Sequence, residues 1–295
     1  MKFKKASAIL GISIMGLGLI GCGSAAETKT NKSDWEVVKT IDNVKQNANH
    51  IGGFLTEDYG ITVGYAGECH YTTDGGETWP KASNKSICRF GVYFIDENLG
   101  WNCGNGGNVR KTTDGGKTWT ELTDFGDYLP NQCRYIKFTD ENTGWIASPK
   151  KLGSTKDGGK TWTTLTLPSG IGDIMTIDLL DANAGYLVDI NNNLYITKDE
   201  GTSWNSKPMN ISDINNTIVP TNEALLKFAD NDNGTFFYYD VNQKLKCSTT
   251  KDGGDTWEEQ TMPDTEGSGI FLSADEKYLS INSVGKDTIT LLKQN

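Results

Sequence analysis

The 295 residues carry 38 acids against 28 Lys and Arg, a formal charge of -10, and they include 34 glycines. So acidic a surface repels polyanions, which excludes nucleic acid as a partner, and an aromatic content of 10% is that of a folded chain rather than a disordered one. A mean hydropathy of -0.48 with abundant Gly, Asn, Asp and Thr fits short strands joined by tight turns, which predicts an all-β protein.

The first residues follow a different logic. Lys2, Lys4 and Lys5 precede an apolar run from Ala6 to Leu17, closed by Leu19-Ile20-Gly21-Cys22. A basic start, a short apolar run and a Cys after Leu-x-Gly form a lipoprotein signal. Residues 1–21 are therefore expected to be cleaved, and Cys22 to carry the lipid that anchors the protein outside the cytoplasm on a bacterial cell membrane. An ordinary secretory signal with Cys22 incidental is the alternative. The small polar residues up to 33 read as a flexible tether, and the folded domain is expected over 34–295. Cleavage would remove three lysines and no acid, leaving 25 Lys and Arg against 38 acids, a balance of -13.

Five octapeptides follow: TTDGGETW (Thr72 to Trp79), TTDGGKTW (Thr112 to Trp119), TKDGGKTW (Thr155 to Trp162), TKDEGTSW (Thr197 to Trp204) and TKDGGDTW (Thr250 to Trp257). Their aspartates, Asp74, Asp114, Asp157, Asp199 and Asp252, are 40, 43, 42 and 53 residues apart, the period of a four-stranded propeller blade. In phase with them runs a second pattern, an apolar strand ending in an acidic turn and Gly. It is cleanest in FIDENLGW (Phe94 to Trp101), FTDENTGW (Phe138 to Trp145) and LLDANAGY (Leu179 to Tyr186), and weaker copies begin at Phe54, Phe228 and Leu272. Six such turns predict a six-bladed β-propeller, with seven blades as the alternative because the fifth unit is longer. The sixth unit reaches only a third strand, Thr288 to Lys293. Asp34-Trp35-Glu36-Val37-Val38 resembles the residues around an octapeptide Trp, so the N-terminal strand is expected to complete that blade and close the ring.

The octapeptide has the chemistry of a tight hairpin. Its Asp accepts backbone N–H groups, its Gly takes positive φ, and its Thr supports the turn. Trp79, Trp119, Trp162, Trp204 and Trp257 are then expected to pack against the ring. All five copies satisfy Ser/Thr-x-Asp-x-Gly-x-Thr/Ser-Trp and so resemble the Asp-box, or bacterial neuraminidase, repeat. With GWNCGNGGNVRKTTDGGKTW (Gly100 to Trp119), the chain looks most like the photosystem II assembly-factor family. That resemblance implies a non-catalytic propeller outside the cytoplasm that binds membrane proteins. Members of that family have seven blades and a basic arginine patch, whereas this chain shows six units and three arginines.

Enzyme activity is the competing reading, since six-bladed Asp-box propellers include sialidases, which use an arginine triad. Arg89 and Arg134 open first strands of neighbouring blades and Arg110 sits on a third strand, which does not form that triad. A glycan-binding protein or another glycoside hydrolase of sialidase-like fold stays as the alternative, with no catalytic residue, cofactor or metal assigned. Five cysteines after Cys22 leave at least one thiol unpaired and allow one or two disulfides, a Cys88–Cys133 link among them. Asp230-Asn231-Asp232-Asn233-Gly234 has calcium-like oxygen spacing but falls on an acidic turn and reads as that turn.

For binding, Cys88-Arg89-Phe90 and Cys133-Arg134-Tyr135 place Arg89 and Arg134 alike in two blades, either as a small positive spot for a carboxylate or as ordinary salt bridges. The connection 122–132 carries Phe125 and Tyr128, either as contact residues or folded back on the blade. The expected partners are the membrane, through lipid, and an envelope protein or glycan; the protein itself is expected to be a monomer.

Overall fold

The computed structural model describes residues 33–42, 44, 51–64, 68–82, 90–104, 107–123, 133–215, 224–283 and 286–295. The elements among them are strands, arranged as six antiparallel sheets. Strand β1 (Trp35–Ile41) comes first in the chain and last in the ring. Blade one holds β2 (Ile51–Phe54), β3 (Gly60–Val63) and β4 (Cys69–Thr72), and a single bridge from His70 to Lys81 stands for its fourth strand. Blade two holds β5 (Gly91–Phe94), β6 (Gly100–Cys103), β7 (Val109–Thr112) and β8 (Thr120–Thr123). Blade three holds β9 (Tyr135–Phe138), β10 (Gly144–Ser148), β11 (Lys151–Thr155) and β12 (Thr163–Leu165). Blade four holds β13 (Ile174–Leu179), β14 (Gly185–Asp189), β15 (Asn193–Thr197) and β16 (Asn205–Pro208). Blade five holds β17 (Ala224–Phe228), β18 (Gly234–Tyr239), β19 (Leu245–Thr250) and β20 (Glu258–Gln260).

Blade six combines the two ends of the chain. Its strand order is β1, β23 (Thr288–Gln294), β22 (Tyr278–Ser283) and β21 (Gly269–Leu272), with β1 antiparallel to β23 from Trp35 opposite Gln294 to Ile41 opposite Ile289. The Asn295 N–H also donates to the Asp34 carbonyl at 2.8 Å. The innermost strands β2, β5, β9, β13, β17 and β21 touch in succession, and β21 returns to β2, which closes the ring at six. The extra length of the fifth unit goes into the link between β16 and β17, where Met209 and Ile214 are buried in the core beside blade four.

The two repeated motifs occur in phase because they are hydrogen-bonded to each other. In each of blades one to five, the residue after the octapeptide Asp donates its N–H to a carbonyl of the acidic turn: Gly75 to Asp58, Gly115 to Asn98, Gly158 to Asn142, Glu200 to Asn183 and Gly253 to Asp232, all at 2.8–2.9 Å. The turn between strands one and two is thereby stitched to the turn between strands three and four. The aromatic residue after the acidic turn fills the space between blades. Trp101 stacks on Phe138 of the next blade at 3.7 Å, and Tyr186 on Phe228 at 3.8 Å. Between blades three and four the arrangement differs, and a Cβ on Gly185 would meet the Trp145 ring at 2.3 Å, so that position has to be glycine.

The disulfide expectation is not met among the described cysteines: Cys69, Cys103, Cys133 and Cys247 are buried thiols. Burial pushes Cys69, Cys133 and Cys247 up to about 12, so they stay protonated and unreactive at neutral pH. Cys88 lies outside the described residues.

Candidate functional site

The octapeptide aspartates are engaged within their own turns. Asp74 Oδ1 accepts the Thr72 hydroxyl at 2.7 Å and the Thr78 N–H at 3.0 Å, while the Gly76 N–H donates to Thr72 Oγ1 at 2.8 Å. The same bonds recur around Asp114, Asp157, Asp199 and Asp252, each with an N–H four residues on at 2.8–2.9 Å. The following two residues hold positive φ in every copy, Glu200 among them at 60°. Four of the tryptophans turn an edge to the Phe that ends their own blade's innermost strand: Trp79 to Phe54, Trp119 to Phe94, Trp162 to Phe138 and Trp257 to Phe228, at 6.0–6.3 Å. Blade four has Leu179 there, and Trp204 packs on Trp145 instead. With their oxygens occupied this way, the carboxylates hold turns together. Asp230 is likewise a turn cap, accepting the N–H groups of Asp232 and Asn233 at 2.7–2.8 Å.

Strand direction alternates across each blade, so the octapeptides and acidic turns share one face, the turn face. The links into the innermost strands lie on the other, the loop face. Arg134 stands on the loop face just before β9, half-buried, its N–H donating to Ala147 at 2.8 Å. A Cβ on Gly91 would meet the Arg134 carbonyl oxygen at 2.8 Å, so this glycine lets blade two approach the start of blade three closely. Arg110 is remote in role: it is buried on β7 and pairs with Glu121 of its own blade at 2.8 Å. Arg89, Phe125 and Tyr128 lie outside the described residues, as does Cys22.

The channel between the innermost strands is narrow. A cavity of about 40 Å³ is lined by residues such as Tyr93, Tyr135, Ile136, Thr176, Leu225 and Phe271. Small-ligand sites span roughly 300–1,000 Å³, so a sugar ring has no room in this cavity. Near its turn-face end lies a charged row that sequence reading missed. Lys137 on β9 faces Asp178 on β13 at 3.8 Å, and Lys227 on β17 faces Glu276 of the last acidic turn at 3.4 Å. Asp178 also accepts the Phe228 N–H at 2.7 Å, and the Lys137 ammonium sits 4.7 Å from the centre of the Tyr93 ring. Burial pushes the Asp178 carboxyl up against the pull of Lys137 and Lys227, and burial pulls Lys137 down against the pull of Asp178. The row links four successive blades. Its signal in the sequence is a charged residue just before the Phe or Leu that ends three apolar strands, in YIKF, TIDL and LLKF.

Residues 84–218, which take in blades two to four, match the family model described as photosynthesis system II assembly factor YCF48. The chain is a β-propeller similar to the photosystem II assembly factors. Among solved structures, YCF48 bound to D1 peptide aligns at a TM-score of 0.54 and 20% identity, over 90% of this chain and 97% of that one. YCF48 from Cyanidioschyzon merolae aligns at 0.50 and 15% identity over 90% and 99%. The WD40 propeller domain of Doa1 aligns at 0.53 and 11% over 88% and 97%. At these identities the likeness shows the fold alone. No curated protein matches the chain. The assembly-factor-like propeller is thus built from turns whose octapeptide carboxylates are spent on structure.

Proposed function

We propose that this protein is a lipid-anchored, extracytoplasmic propeller that binds a membrane or envelope protein through its loop face and assists its assembly without catalysis. The match of blades two to four to the assembly-factor model carries this reading, because those blades bring Arg134 and the link before it. The lipoprotein pattern ending at Cys22 supports the anchor, and a relative of the same fold with a bound peptide supports a protein ligand. An arginine beside a carboxylate-bearing segment supplies a charge-assisted, bidentate contact, the kind of interaction that orients a peptide.

The test is in-cell crosslinking and affinity capture of the intact protein, with Arg89→Ala/Arg134→Ala as control and labelled-lipid incorporation compared between wild type and Cys22→Ser. A specific envelope protein captured by wild type and lost in the double variant is the expected result. Turnover of an envelope glycan, with no protein captured, would sink the proposal. Absence of lipid label from wild type would remove the anchor while leaving the binding reading standing.

A further inference from the structure

The penultimate residues of the six innermost strands, Gly53, Tyr93, Lys137, Asp178, Lys227 and Phe271, occupy equivalent positions around the channel. A Cβ on Gly53 would come within 2.9 Å of the Phe271 ring, so that ring leans against blade one and helps to close the layer. Charge is unevenly spread in it. The innermost strands contribute two ammoniums and one carboxylate, while the fourth charged group, Glu276, comes from a turn and its side chain is 47% exposed, where water screens it. The layer therefore carries one excess positive charge inside a protein whose formal charge is -10. The 40 Å³ cavity lies against this layer, and Lys137 is the one charged residue of its lining, which includes neither Asp178 nor Lys227. Tyr93, Tyr135 and Thr176 are the polar, uncharged side chains there. The Lys137 ammonium is poorly served by its described neighbours. Asp178 Oδ1 is 3.8 Å away, longer than a hydrogen bond, and the Tyr93 ring, centred 4.7 Å away, offers a cation–π contact. That Asp178 oxygen has no hydrogen-bond partner among the described residues either.

We propose that the channel binds a small monoanion, a halide or a carboxylate the size of formate, on the Lys137 ammonium. Size, charge and lining each point to such a ligand. A buried water needs roughly 10–15 Å³ of space of this kind, so the cavity admits a group about the size of three waters, as these anions are. A buried charge is costly unless it is paired and hydrogen-bonded; one negative charge offsets the excess in the layer, whereas water would leave it in place. No acid lines the cavity to repel the anion. Once bound, it adds to the pull of Asp178 against the burial that lowers Lys137, and so keeps the ammonium charged. The lining draws Tyr93, Tyr135, Thr176, Leu225 and Phe271 from five successive blades, so occupancy ties those blades together and the bound form melts higher.

Crystals of the protein soaked in sodium bromide and measured at the bromine absorption edge test this directly. An anomalous peak beside the Lys137 ammonium is expected. Bromide at surface lysines alone, an adventitious ion only, would overturn the proposal. In solution at fixed ionic strength, sodium bromide and sodium formate should raise the melting temperature along a saturating curve, and sodium benzenesulfonate, whose ring cannot enter, should not. Lys137→Met should move half-saturation to about tenfold higher bromide, as expected for losing a hydrogen bond to a charged group. Lys244→Met removes the same charge from a surface site paired with Asp264 and Glu266, and should leave half-saturation unchanged. If Lys137→Met does not fold, Thr176→Val takes its place: it deletes a lining hydroxyl, keeps the ammonium and should give a smaller shift in the same direction. Equal rises with all three salts, or a shift in Lys244→Met as large as in the channel variant, would count decisively against an anion in the channel.

Discussion

Gly115 and Gly170 both hold positive φ, +75° and +79°, yet only one is hemmed in. A Cβ on Gly115 would meet Tyr59 Oη at 2.6 Å and the Glu97 carbonyl at 2.9 Å, whereas on Gly170 it would meet nothing within 4 Å. Gly170→Ala therefore carries only the left-handed backbone penalty of about 1 kcal/mol. Gly115→Ala adds a steric clash with Tyr59 and the Glu97 carbonyl, and should cost about 3 kcal/mol; chemical denaturation of the two variants measures the difference. The carboxylates of the same turns make a pH prediction. Hydrogen bonds from the Ser203 hydroxyl and N–H and from Thr197 hold Asp199 at about 2, and those from Thr256 and Thr250 hold Asp252 at about 2. An unfolded carboxyl takes up its proton first, near pH 4. The stability contributed by these groups is therefore complete above that value and is lost as pH falls toward 2. A melting temperature level from pH 7 to 5 and falling between pH 4 and 2 is expected, with a smaller fall in Asp199→Asn/Asp252→Asn. These turns were legible residue by residue, because the chemistry of Asp-x-Gly-x-Thr is local. The role of the Gly in stitching two turns was not, since its partner lies seventeen or so residues earlier in the chain.

At the scale of elements, β1 was legible because Asp34-Trp35 repeats the neighbourhood of the octapeptide Trp, and a ring without it would leave β23 as an open edge. Deleting residues 33–40 removes its ladder on β23 and the buried Trp35, and should cost several kcal/mol. An unchanged melting temperature in the deletion would refute the closure. Blade one shows the limit of motif reading. Its octapeptide is intact, yet among the described residues the segment after Trp79, which reaches Ala82, forms a bridge from His70 to Lys81 rather than a strand. Pro80 lies inside that segment and has no N–H to give to a ladder.

The molecule as a whole is where the charged row matters. Lys137 and Asp178 are taken out of water for an ion pair 3.8 Å long, an arrangement that seldom stabilises a fold but is costly to half-remove. Lys137→Met alone should cost about 3 kcal/mol by stranding the Asp178 carboxylate. Lys137→Met with Asp178→Asn should recover most of it, because an Asn oxygen can still accept the Phe228 N–H. A double-mutant cycle by urea denaturation, with Asp178→Asn alone as the other single variant, decides: destabilisation of the double variant equal to the sum of the two single ones would show the pair to be uncoupled.

From the sequence alone followed the all-β class, the six repeats, the closing strand and the structural role of the octapeptides, all of which rest on spacing and on hydrogen bonds made within a few residues. The narrow channel, the Lys137–Asp178–Lys227–Glu276 row, the burial of the thiols and the pairing of Arg110 with Glu121 were decided only by tertiary structure. Each depends on side chains from different blades, or from different strands of one blade, meeting at distances that no local pattern encodes.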